Sequence, residues 1–579
     1  MSTLPRPGPP AAGRRSGGLG FRAALALVGL LGVAAAPAQT GATPAVPASP
    51  VAASAPPIVA TPLPYPAAVA ARFVEPPQHY DTPGLQAGRS TATSNEELEA
   101  ALRALAARGG AQRIDLGRSG AGAALSALWF TRGPGRPVVL LLGQQHGNEP
   151  AGAEALLVVA QRLADAAAPL AALLEHIDVL VWPRVNPDGA LIGRRTNAAG
   201  LDVNRDHLLL RTAEAQAVAA LFRRFRPVLV IDAHEHIALG RYLPKFGAIK
   251  RHDLLLQYAT TPNLAPAIDA AALGWFDPPL RAALHSAGLT VDWYHTNPTA
   301  PDDRRLSMGG LRPDLARNAG GLRHAVSVLL ESRGLDLGRL RLERRVHTHV
   351  VAIEALLRAA SERPAALQRL YEDAGAALAA RACRGRVALE AQPSLERRVV
   401  LMLDPVSGAD TPVEVEWASA LRMTALRERA RPCGYWLAAG ETAVVARLQA
   451  LGLQVRTLSA PAELAVERFR EIARGEGART DVLGRIQDPD RVRRVVVALE
   501  PGLLSAPPGS HYVGLDQPLA ELAVAALEPD TQDSFFAHGL LTELDRVARV
   551  SAPPPPPSRR VAPAPPLEPL PAPTPPPTR

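Results

Sequence analysis

The sequence predicts a three-layer α/β fold, a mixed and mostly parallel sheet with helices on both faces, followed by a second, smaller α/β domain. Three observations carry this. Short apolar runs, continuous rather than alternating and bounded by polar loops, recur between residues 137 and 330, as strands buried on both faces require. Alanine-rich stretches with helical spacing lie between them and would supply the covering layers. Polar residues capable of chemistry stand just after the runs, where the loops of an open α/β sheet converge on one crevice.

Taken in order, the runs are 137–142 (PVVLLL), 177–181 (IDVLV), 227–231 (PVLVI) and 325–330 (AVSVLL), and the helical stretches are 151–164 and 213–225. Together they place the first domain at 76–365. Residues 366–550 mix helix-like, strand-like and turn-rich segments without a clustered catalytic set and form the accessory domain. Within it, 443–453 reads as a helix, 454–458 as a strand, and 514–518 as a turn feeding a helix to 527. No repeat of fixed period is present.

The ends of the chain read differently. Arg14, Arg15 and Arg22 precede an apolar run at 23–36, and Ala36-Pro37-Ala38 follows, the order of a secretory signal peptide at 1–38. Fourteen apolar residues fall short of the roughly 20 that a spanning helix needs. The expectation is therefore export, to the periplasm or the medium, with no stable membrane insertion after cleavage. Residues 39–75, rich in Ala and Pro, read as a linker, and 551–579, with 14 prolines in 29 positions, as a disordered tail unable to bury a core.

Composition excludes several classes. With 47% hydrophobic and 20% charged residues the chain is globular. A net charge of +8 invites a nucleic-acid reading, but the arginines are dispersed and no basic run interleaves with aromatics, so no nucleic-acid partner is expected. Only Lys245 and Lys250 are lysines. Cys383 and Cys433 are too few for a thiolate zinc site or a disulfide scaffold, and leave room for one bridge.

His146 and Glu149, three residues apart in a loop entering a helix, suit one zinc ion with its nitrogen and oxygen ligands. His234, ending the third run in IDAHEH, completes a two-histidine, one-carboxylate set with a fourth position open for water. Asp202 or Asp232 would orient a ligand histidine, and His236 is a rival ligand on the same strand face. Arg195, Asn204 and Arg205 offer guanidinium forks and an amide for a carboxylate or a polarised carbonyl. Glu331, an acid closing the fourth run, is either paired with Arg333 or Arg323, or partly desolvated for proton transfer. Arg317 and Arg323 admit two readings, structural pairing or a preference for an acidic side chain.

In this order, His146-x-x-Glu149, Asn186-Pro-Asp-Gly189, Arg195 before Gly200-Leu-Asp-Val-Asn-Arg205, Asp232-Ala-His234 and Glu331, the motifs resemble the zinc carboxypeptidase family. Residues 366–550 are similar to the C-terminal extension of some bacterial members. The resemblance implies one zinc ion on His146, Glu149 and His234. It assigns Asn204 and Arg205 to the C-terminal carboxylate of a peptide substrate, Arg195 to the scissile carbonyl, and Glu331 to general base and then acid. Three departures stand out. No tyrosine occurs between Arg305 and Gly321, with Tyr294 the nearest upstream. Asn148 replaces an arginine, and the stretch from Glu149 to His234 is short. Two alternatives remain open: a zinc-dependent deacylase of N-acyl amino acids, and a catalytically silent cell-envelope peptide-binding protein.

Overall fold

The computed structural model describes residues 67–486 and 491–553. The expected signal peptide, most of the linker and most of the tail lie outside the described residues. Residues 67–75, within the expected linker, are packed: Val69 and Phe73 are buried with Ala238, Leu239, Ile249 and Leu403.

An eight-stranded mixed sheet organises the first region. Its order is Ala111–Arg118, Ala124–Phe130, Asp178–Trp182, Val138–Gly143, Leu229–His236, Val326–Arg333, Leu254–Tyr258, Val291–Trp293. The four strands from Asp178–Trp182 to Val326–Arg333 run parallel, while Leu254–Tyr258 turns antiparallel to Val326–Arg333. Each apolar run thus became a strand whose side chains are buried on both faces.

Alternate residues of these strands pack into different layers. Val139, Leu141, Val179, Val181, Leu229, Ile231, Val326 and Val328 meet helices Asn95–Ala107, Pro150–Ala164 and Leu342–Ser361 on one face. Leu140, Leu142, Leu180, Trp182 and Val230 meet Ala217, Val218, Leu221 and Phe222 of helix Ala213–Phe225 on the other. Local signals fix the helix ends. Ser94 and Glu97 form a capping box, and Thr212 caps Ala213–Phe225 through the Ala215 N–H, contacts typically worth about 1 kcal/mol each.

The second region contains a four-stranded and a six-stranded sheet. In the first, the long hairpin Arg386–Leu403 and Asp410–Ala430 is flanked by Ile249–Lys250 and Leu306–Ser307 from the first region. In the second, Ala462–Ala478 pairs with Arg491–Ala506, and helices Thr442–Ala450 and Ala520–Leu527 contribute to the core beneath. That core includes Leu208, Leu209, Leu210, Ala215 and Ala219, so the two regions share buried surface. Cys383 and Cys433 form a disulfide. Among the described residues, no helix is long and apolar enough to cross a membrane.

Candidate metal centre and active site

The parallel strands end at one edge, and their register places the site. Leu142 lies beside Trp182 and Asp232, and Glu331 beside His234. His146 follows in the loop after Val138–Gly143, a loop entered through Gln144 at φ 50°, a left-handed conformation a non-glycine residue seldom adopts. The Gln144 side chain stabilises it, donating to the Gly147 carbonyl at 2.8 Å and accepting from Arg184 at 2.7 Å.

The two glycine-containing motifs meet backbone to backbone. A Cβ on Gly147 would stand 1.9 Å from the Gly189 carbonyl carbon, so only glycine fits there. Asn186 accepts from the Gly189 N–H at 2.8 Å and donates to the Gln145 carbonyl at 3.1 Å and the Arg195 carbonyl at 3.3 Å. The Asn-Pro-Asp-Gly turn therefore ties the His146 loop to the Arg195 loop.

At the centre, His146 Nδ1 lies 2.9 Å from Glu149 Oε1 and 3.0 Å from His234 Nδ1, with His234 Nδ1 2.8 Å from Glu149 Oε2. Ligand atoms about 2.1 Å from a tetrahedral ion lie roughly 3.4 Å apart, close to this spacing. Each ring presents Nε2 to an aspartate: Asp202 at 3.2 Å from His146, Asp232 at 3.0 Å from His234. Donation there turns both Nδ1 lone pairs inward. With the rings so oriented, two imidazole nitrogens and a carboxylate face one point, and the donor set fits zinc. Among the described residues these three are the group of His, Cys, Asp or Glu side chains close enough to hold a metal. His236, the rival, stands outside it and bonds the Ile237 carbonyl at 3.1 Å.

Burial alone would raise the Glu149 carboxyl, but the two imidazoles outweigh it and hold it well below the usual carboxylate range. Glu331 behaves oppositely. Burial pushes its carboxyl up to about 7, and neither Arg323 nor Arg333 pairs with it: Arg323 donates to the Ala319 carbonyl, and the Nε of Arg333 donates to the Lys250 carbonyl.

A cavity of about 350 Å³ opens in front, lined by His146, Glu149, Arg195, Asn204, Arg205 and Glu331, with Tyr294, Lys250 and Arg317. His234 is fully buried behind them. Arg195 donates to Asp202 at 2.9 Å and brings Nη1 to 3.2 Å from His146 Nδ1. Asn204 accepts from the Ala316 N–H at 2.8 Å, with Nδ2 3.2 Å from His234 Nε2. Arg205 pairs with Asp481 at 3.0 Å.

Three residues of this cavity carried little signal in the sequence. Tyr294 lines the wall although it lies upstream of the stretch from Arg305 to Gly321. Lys250 reaches the His295 carbonyl at 2.9 Å, and burial lowers its ammonium to about 7; its rarity in an arginine-rich chain was the available hint. Asp481 comes from the second region and had no hint at all.

Residues 98–234 match the family model described as zinc carboxypeptidase. The chain is 29% identical over 411 residues to Carboxypeptidase 2 of Trichophyton rubrum, covering 70% of this chain and 74% of that protein. Carboxypeptidase 2 of Trichophyton tonsurans matches at 29% over 411 residues, again 70% and 74%. Among solved structures, a metallo-carboxypeptidase from Burkholderia cenocepacia aligns with a TM-score of 0.36 and 19% identity, over 46% of this chain and 69% of that one.

Proposed function

We propose, for a chain that belongs to the zinc carboxypeptidase family, that it is exported and hydrolyses the C-terminal peptide bond of peptides with a free C-terminus. The observation that carries this is the convergence of His146 Nδ1, His234 Nδ1 and the Glu149 carboxylate within 3.0 Å of one another, facing a cavity that also holds Glu331.

His146, Glu149 and His234 would hold one zinc ion, which supplies Lewis acidity and a bound water of lowered pKa. Glu331 is the general base: its carboxylate takes the proton of the attacking water and returns it to the leaving amine. A carboxyl raised to about 7 is suited to accepting and releasing that proton near neutral pH. Arg195, held by Asp202, donates to the carbonyl oxygen as it gains charge; preorganised donors of this kind are typically worth about 3–4 kcal/mol. Asn204 and Arg205 receive the terminal carboxylate, with Asp481 paired to Arg205 beside it. Asp202 and Asp232 hold the histidine rings in orientation.

Glu331→Gln tests this reading. The variant should retain stoichiometric zinc while turnover of an unblocked peptide falls about 10²–10⁴-fold. Zinc-loaded wild-type protein that binds peptides tightly but hydrolyses none would favour the silent peptide-binding reading. Turnover restricted to N-acyl amino acids would favour the deacylase.

A further inference from the structure

The cavity's arginines are not alike. Arg195 meets Asp202 at 2.9 Å, Arg205 meets Asp481 at 3.0 Å, and Arg312 meets Asp314 and Asp533. Arg317 lines the same cavity at 4% exposure and has no ion-pair partner among the described residues; Arg241 and Lys250 there also lack one, but Arg241 is only half-buried and Lys250 donates to the His295 carbonyl. Its one hydrogen bond runs from Nη2 to the Gly310 carbonyl at 2.6 Å, and Nε has no partner.

A buried guanidinium without a counter-charge is costly. Burial, with the like charge of Arg205 adding to it, lowers the group to about 10. Its surroundings make room for it: a Cβ on Gly309 would stand 2.8 Å from Nη2, so the glycine there leaves space for the guanidinium. Helix Ala316–Gly321 anchors its backbone, with the Ala316 N–H bound to Asn204 and Asn318 reaching the Gly310 and Arg312 carbonyls. The charge is therefore fixed in place, desolvated and open to the site where a peptide's last residue would lie.

We infer that Arg317 is a specificity-determining residue that receives the side-chain carboxylate of an acidic C-terminal residue, so that the substrates end in glutamate or aspartate. This rests on the carboxypeptidase reading, in which Arg205 takes the main-chain carboxylate and the buried guanidinium of Arg317 is left for a second anion. The planar fork of a guanidinium matches a carboxylate with two parallel hydrogen bonds, and the ligand supplies the counter-charge that the fold omits.

Equilibrium binding to the full-length, zinc-loaded chain tests the inference without relying on turnover. The probes are N-acetylglutamate, N-acetylglutamine, which keeps only the main-chain carboxylate, and N-acetylisoglutamine, which keeps only the side-chain one. Wild-type protein should bind N-acetylglutamate about ten- to hundredfold tighter than N-acetylglutamine, the range of a charged hydrogen-bonded contact. Arg317→Met should erase that ratio and weaken N-acetylisoglutamine to the same degree, while leaving N-acetylglutamine within about twofold. Removing an unpaired buried charge should not lower the unfolding temperature. Arg317→Gln provides a second, polar replacement with the same expected loss. An unchanged ratio in either variant, or equal weakening of N-acetylglutamine and N-acetylglutamate, overturns the inference. A chain that shows the expected binding pattern yet hydrolyses no peptide supports it while removing the hydrolase reading.

Discussion

The region built on the eight-stranded sheet and the region after Pro364 bury their strands in opposite ways. In the first, Val138–Gly143, Asp178–Trp182 and Leu229–His236 are buried at every position. In the second, Arg386–Leu403 and Asp410–Ala430 carry exposed charged residues along much of their length, and Ala462–Ala478 is exposed through its distal half. Parallel strands covered by helices must be apolar throughout, which gives the chemistry at their carboxyl ends a rigid base. Long antiparallel ribbons need bury only one face over part of their length, and so can reach across the molecule. The pair Ala462–Ala478 and Arg491–Ala506 does this, and the short hairpin of Thr480–Asp481 and Gly484–Arg485 beyond it brings Asp481 to Arg205.

If the first region owns the chemistry, its loss should leave the second region standing. His234→Ala removes a proposed ligand from a fully buried position, and we expect zinc binding and turnover to fall below detection. Metal analysis and a peptide assay read this. The disulfide-linked second region should keep its protection from proteolysis. Cleavage throughout both regions would show that the shared core around Leu208 to Leu210 makes them one cooperative unit.

The same contrast explains what could be read from sequence. The runs at 137–142, 177–181, 227–231 and 325–330 were visible because burial on both faces leaves no polar interruption, and helix Ala213–Phe225 was visible by its periodicity. The residues proposed to hold the metal are legible because each lies within a few positions of such a run. The ribbons were not. Their alternation of Arg and Glu with Val and Leu has the period of a strand, but stretches such as LRMTALRERA of Asp410–Ala430 carry charges that also suit an exposed helix. Helices Thr442–Ala450 and Ala520–Leu527 were found within a few residues, since each has an apolar face and a turn before it. Asp481 was invisible because its role depends on a contact with a residue 276 positions away, which no local pattern encodes.

The second region's stability should depend on its covalent tie. Cys383 and Cys433 close a loop with a sequence separation of 50, for which the chain-entropy relation gives about 4 kcal/mol. Cys433→Ser should lower the unfolding free energy by about 2–4 kcal/mol under oxidising conditions and match wild type under reducing ones. Denaturant titration in both conditions measures this. Equal stability in both proteins under oxidising conditions would mean that the packed seam, and not the bridge, fixes the second region.

The seam itself contains a pH-sensitive group. His252 is buried beside Asp292, which pairs with Arg398 of the second region at 2.6 Å. Burial lowers the imidazole from 6.5 to about 4. Between these values the unfolded chain binds a proton at this position that the folded chain does not, so the contribution of His252 to stability falls as pH drops from 6.5 to 4 and is flat above. His252→Leu should flatten that decline by about 2 kcal/mol, somewhat less than the full shift implies. An unaltered slope in the variant would assign the acid sensitivity elsewhere.

The smallest expected effect bears most directly on whether the second region takes part in the reaction. Asp481 is 7% exposed and Arg205 14%, so their ion pair is largely desolvated, and a substrate carboxylate received by Arg205 as proposed would compete with it. The hairpin is held in place independently: the Thr299 N–H and hydroxyl reach the Leu483 carbonyl at 2.9 and 3.0 Å, and Arg312 reaches the Thr480 carbonyl at 3.2 Å. Asp481→Asn therefore removes the charge without freeing the loop, and its amide oxygen can still accept from the Leu483 N–H, now 2.8 Å from Asp481 Oδ1. With the competing carboxylate gone, KM should fall about five- to tenfold with kcat within about twofold, the pattern of a binding change common to ground and transition states. A rise in KM would reverse the sign of the argument: Asp481 would then be the group that orients Arg205 for its substrate, and the ribbon would be part of the binding site instead of a competitor for it.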